Sequence, residues 1–196
     1  MPDWYRNTEW NEEIETDFFA RLGRARSQRD QYIVLQALTI AESHPGVALR
    51  LVDLYFETRT DSFDDGRARL AASRARFADG GYEKALDEYQ ATLEGQAGGG
   101  SLHVSSPVEF AFLAARYRSA KHYVAALDHL ADLPPPESQL NEAVFRFHAA
   151  RALLLQETGR DLATARMDAR VVLNLPESLT AQFSDVIWRI RGIARR

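Results

Sequence analysis

Apolar residues recur every three or four positions along almost the whole chain, and strict alternation is nearly absent. That periodicity predicts an all-α protein. Ile14, Phe18, Phe19 and Leu22 mark one side of a first helix over about 9–26. Asn7 or Thr8 is its expected cap, and the carboxylates that follow suit the positive end of the helix dipole. Tyr32, Leu35, Leu38 and Thr39 mark a second helix opening near Ser27. In "SHPGVALRLVDLYF" a third begins at Pro45, because proline is tolerated at a helix start and not inside one. Further helices are expected over about 62–79, 81–94, 106–120, 122–133, 138–158, 160–174 and 178–195. The breaks read "DGG", "GQAGGGS", "SAK", "LPPPES", "TGR" and "LPES", all turn or cap chemistry. Links this short predict antiparallel hairpins rather than separated domains.

The hairpins repeat. The clearest unit runs Phe110-x2-Leu113-Ala114-x2-Tyr117, then Ala126-x3-Leu130, then Leu133 and a proline. It resembles the tetratricopeptide repeat, with Phe for the usual Trp, Ala for Gly and Leu for Phe. Tyr82, Ala85 and Tyr89 occupy the matching places of a second unit, and Pro45, Tyr82, Tyr123 and Leu162 stand in register. The intervals are 37, 41 and 39 residues, against about 34 for the family, and the visible loops absorb the excess. The resemblance implies antiparallel hairpins stacked as a short right-handed superhelix. About four degenerate units would span 27–177, with capping helices over 1–26 and 178–196. A small residue lets the two helices of each hairpin approach, and a lone hairpin cannot bury its face, so units stack. The opening of the chain is also similar to bacterial tetratricopeptide-containing proteins, a likeness that brings no activity with it.

Composition narrows the chemistry. The chain of 196 residues has no cysteine, which excludes disulfides, thiolate metal sites and thiol nucleophiles. Its start, "MPDWYRNTEWNEEIE", lacks the basic and apolar regions of a signal peptide, and "YIVLQALTIA" is about half a membrane span. These features lead us to expect a cytoplasmic protein with no membrane partner. A net charge of −4 argues against general nucleic-acid binding. Charge is nevertheless segregated. Glu9, Glu12, Glu13, Glu15 and Asp17 make the beginning acidic, Arg67, Arg69, Arg74 and Arg76 form a basic stretch, and "RIRGIARR" a basic tail.

No catalytic constellation emerges. His44, His103, His122, His129 and His148 show no zinc spacing, and a surface or core-edge place is expected for His122 and His129. "GGGS" at 98–101 lacks the lysine of a phosphate loop and reads as a linker. Glu12/Glu13 and Asp64/Asp65 are sequence neighbours that splay around a helix. "PPP" at 134–136 reads as a spacer between helices. The expectation is a non-enzyme without metal or cofactor.

In the resembled family the first helix of each hairpin lines a concave groove. Carried over in this register, that groove offers Arg67, Leu70, Arg74 and Phe77, then Phe112 and Arg118, then Phe147 and Arg151. Arginine forks suit carboxylates and aromatic rings supply buried area. The implied function is an adaptor or regulatory interaction module that takes a protein or peptide of acidic character, with homo-oligomerisation open. Ile33, Val34 and Ile40 of the first unit are too apolar for solvent and require a cover. Two other readings follow from charge. The acidic first helix could block a basic partner, as an immunity-type or antitoxin-like protein does. The arginine clusters, with Trp188 or Tyr117 stacking, could hold nucleic acid.

Overall fold

Asn11, rather than Asn7 or Thr8, caps the first helix: its side chain accepts from the Ile14 amide at 2.9 Å. Helix α1 (Glu12–Leu22) is therefore shorter than the periodicity suggests. The computed structural model describes residues 3–97, 106–136 and 141–195, so the "GGGS" stretch and His103 lie outside the described residues. Those described residues are helical and contain no strand. They form two compact units, divided between Ser105 and Ser106.

In the first unit, α2 (Arg29–Ile40) pairs with α3 (Pro45–Thr58), and α4 (Asp65–Ala78) pairs with α5 (Tyr82–Ala97). Both α2 and α3 also pack on α4. The small residues sit where helices meet: Ala48, Ala68, Ala71, Ala75 and Ala85 are all fully buried. Residues ahead of α1 complete this core. Trp4 and Trp10 pack around Phe18, and they, with Tyr5 and Leu22, join Ile33, Val34 and Ile40 in one apolar cluster. The segment is pinned by Gln36, which is 0% exposed. Its carboxamide accepts from the Asn7 amide (2.9 Å) and donates to the Asn7 carbonyl (2.8 Å).

Two buried polar atoms on α4, the Ser73 hydroxyl and Arg76 Nε, have no hydrogen-bond partner among the described residues. Ser73 is buried within α4 and its hydroxyl makes no hydrogen bond. A buried orphan hydroxyl is destabilising, and alanine has the higher helix propensity. Ser73→Ala is expected to raise stability by about 1 kcal/mol, read as a higher urea midpoint with an unchanged slope.

The second unit contains α6 (Pro107–Arg116), α7 (Tyr123–Ala131), α8 (Asn141–Thr158), α9 (Leu162–Leu173), α10 (Glu177–Thr180) and α11 (Ser184–Ala194). Helix α6 packs on α7 and α8, α8 on α9, and α11 on α8 and α9. Periodicity suggests one helix over 178–195. The chain instead breaks it with a 3-10 turn, Ala181–Phe183, which turns the Phe183 ring inward to stack on Phe145 at 4.6 Å. His122 is buried beside Ser119 rather than at the surface, with its ring edge-on to Phe110.

Three helices end in the same way. After α4, α6 and α8 the chain enters the left-handed region, at Gly80 (φ 78°), Arg118 (φ 55°) and Gly159 (φ 67°). The next amide closes the helix on a carbonyl five residues back: Gly81 on Arg76, Ser119 on Ala114, Arg160 on Leu155. This turn is ordinarily built on glycine.

Candidate partner-binding surfaces

The arginines of α4 flank its buried alanine stripe, and most of them are committed within the fold. Arg67 donates to Asp64 at 2.8 Å, and Arg69 reaches Glu88 at 3.3 Å while lying over the Phe56 ring. Arg76 approaches the same Glu88 at 3.9 Å. Arg74 differs: it is exposed and has no carboxylate partner among the described residues. Phe77, one turn on and therefore on the same side, is half-buried and faces Tyr82 with ring centroids 6.2 Å apart. Leu70 is buried.

Four further groove candidates lie in the second unit, and three of them are not available to a ligand. Phe112 and Phe147 are core residues, 1% and 0% exposed. Phe112 meets Phe145 at 5.8 Å and Phe183 at 5.4 Å. The correction has a simple cause. The side of a helix not used inside its own hairpin is used against the next helix, so a phenylalanine there fills the core. Arg151 is held by Asp168 through two hydrogen bonds, Nε to Oδ2 (2.6 Å) and Nη2 to Oδ1 (2.8 Å), with its guanidinium 4.9 Å from the Phe147 ring. Arg67, Leu70 and Arg151 are thus structural, and Arg74, Phe77 and Arg118 keep an accessible face.

Sequence reading missed the centre of that second cluster. Asp168 on α9 is almost fully buried and also faces His148 Nδ1 at 2.7 Å. Burial works against its charge, but the hydrogen bonds and positive charge of Arg151 and His148 outweigh it. Its carboxyl is held below the usual value of 3.8. A similar environment surrounds Tyr55, whose hydroxyl donates to Asp65 at 2.9 Å; burial and that carboxylate push its phenol well up. Asp65 also lines a cleft with Ser62, Gly66, Arg69 and Thr92.

Among the described residues no group of His, Asp or Glu is arranged to hold a metal ion, and no helix is long and apolar enough to cross a membrane. No protein-family model, curated protein or solved structure matches the chain. What it can bind is therefore read from its own side chains.

Arg118 stands at the left-handed turn after α6 with its guanidinium 5.8 Å from the Trp188 ring. That indole, on α11, is 61% exposed. On α1, Glu12 and Glu13 present carboxylates to solvent, while Asp17 is paired with Arg21 and Glu15 accepts from the Trp10 indole.

Proposed function

We propose that this protein is a non-enzymatic interaction module, built of tetratricopeptide-like helical hairpins, that binds a protein or peptide. The observation that carries this reading is the treatment of arginine on α4. Arg67, Arg69 and Arg76 are balanced by Asp64 and Glu88, while Arg74 stands exposed and, among the described residues, unpaired on the side of the helix that carries Phe77. An uncommitted guanidinium beside a half-buried ring is suited to a partner that brings both a carboxylate and an apolar group. The buried alanines Ala48, Ala85, Ala126 and Ala165, one in each second helix of a pair, support the tetratricopeptide-like description.

The test is retention of a native partner on immobilised full-length protein, with Arg74→Glu beside the wild type. Arg74 is exposed, so the variant should keep its helicity and melting temperature. Reversing the charge is expected to weaken capture by roughly tenfold or more, as loss of a paired interfacial charge does. Equal capture by wild type and a folded Arg74→Glu variant would sink this assignment.

A further inference from the structure

We propose that the outer side of α11, with Arg118 beside it, is a second docking surface, and that its ligand is an acidic peptide segment carrying an apolar side chain. Three observations meet there.

The first is the indole itself. Trp188 is 61% exposed, although α11 buries Val186, Ile187, Ile190 and Ile193 against the core. A tryptophan left in solvent on a helix with a satisfied apolar side is a ready anchor for a partner.

The second is the charge around it. Arg191 and Arg195 follow Trp188 at three and seven residues, hence on the same side of the helix. Both are exposed and neither has a carboxylate partner among the described residues, and Arg118 approaches the ring from the end of α6. The acidic group on that side, Asp185, is already neutralised by Arg116, whose Nε and Nη2 lie 2.8 and 3.4 Å from its two oxygens. The surface therefore combines one exposed ring, the Arg118 guanidinium beside it, and Arg191 and Arg195 on the same side of the helix. This local excess sits in the less acidic half of the molecule. The first unit carries 18 carboxylates against 12 Lys and Arg, the second 10 against 12.

The third is the backbone of Arg118. Its turn is the one formed after α4 and α8, and there the left-handed position is glycine. A side chain in that conformation is strained by roughly 1–2 kcal/mol. The fold gains nothing at this turn that glycine does not give, whereas an arginine there places a guanidinium over Trp188.

The size of the site favours a peptide over nucleic acid. One ring with three arginines on its side of the helix matches a turn or two of chain that alternates carboxylates with an apolar group. A nucleic-acid strand would need a continuing basic track, and the protein's net charge of −4 opposes a long polyanion.

The experiment is a fluorescence-anisotropy titration of the full-length protein against two labelled probes, a synthetic peptide of repeated Glu-Glu-Phe units and oligo(dT). The peptide should bind saturably and less tightly as salt is added. Trp188→Ala and the double variant Arg191→Glu/Arg195→Glu, all at exposed positions, should keep their helicity and weaken binding by roughly tenfold or more. Arg118→Gly should melt no earlier than wild type and still lose affinity, a result that a purely structural arginine would not give. Arg74→Glu should bind the peptide as wild type does, so failure here is separate from failure of the α4 assignment. No saturable peptide binding, equal binding by the α11 variants, equal loss in Arg74→Glu, or preference for oligo(dT) would each overturn the proposal.

Discussion

Asp168→Ala is expected to destabilise the protein by about 3 kcal/mol, the lower end of the range for breaking a buried ion pair from one side. Asp168 takes two hydrogen bonds from Arg151 and one contact from His148, and its own side chain is almost out of solvent. Removing it leaves a guanidinium and an imidazole packed against Phe147 without their hydrogen-bonded carboxylate, and only the exposed Asp161 still acts on Arg151. The loss stays near the lower end because the Arg151 side chain is 26% exposed and water can reach part of it. Arg151→Met in the same molecule should recover part of the loss, since replacing both partners spares the uncompensated charge. Urea denaturation of the four members of that cycle measures the coupling. A second signature is in acid. The folded-state pKa of Asp168 lies below its ordinary value, so the folded state binds fewer protons than the unfolded chain as the pH falls through that range. Its contribution is complete above about pH 4 and is lost as the pH drops through the folded value. Asp168→Asn should flatten that part of the stability profile.

Gln36→Leu is expected to release the N-terminal segment while leaving α2 to α5 helical. The wild-type carboxamide satisfies both main-chain groups of Asn7 from a position with no access to water. Leucine of similar volume leaves that amide and carbonyl without partners, a cost of roughly 2–3 kcal/mol for two part-buried groups. The penalty falls on an arm held otherwise by ring contacts, Trp4 and Tyr5 against Tyr32 at 4.9 and 4.5 Å. Hydrogen exchange over residues 3–11 should accelerate, and Trp4 and Trp10 emission should shift to the red, while far-ultraviolet circular dichroism changes little. Unchanged exchange in that segment would mean that the aromatic contacts alone hold it. Detachment would also uncover Ile33, Val34 and Ile40, so the variant should self-associate at high concentration.

How much of this was legible in the sequence depends on whether a property is local. The helices were readable because a 3.6-residue period and Pro/Gly punctuation are written into adjacent positions. The alanines at Ala48, Ala85 and Ala126 were readable for the same reason. The apolar excess of Ile33, Val34 and Ile40 announced a surface that needs a cover, but a single Gln36 that pins the cover through the Asn7 backbone leaves no periodic trace. Asn7, Thr8 and Asn11 all suit a helix cap and stand close together, and only the backbone chooses among them. Arg67 and Arg151 were misread as groove residues for a different reason. Whether an arginine is free depends on where carboxylates lie in space, and Asp168 reaches Arg151 from the following helix. Phe112 and Phe147 are core residues, because their side of the helix meets other helices of the unit. The meeting of Arg118 with Trp188 joins residues 70 positions apart, and nothing at either position points to the other.

We propose that an accessible arginine–aromatic surface on this helical scaffold receives a protein partner. The most direct test is site-specific photo-cross-linking in the native host. A photoreactive residue is placed at position 74 on α4, and separately at the exposed position 53 on α3 as a control. A discrete protein adduct formed from position 74 and not from position 53 is the predicted result. Adducts of equal intensity from both positions, or none from position 74, would contradict it.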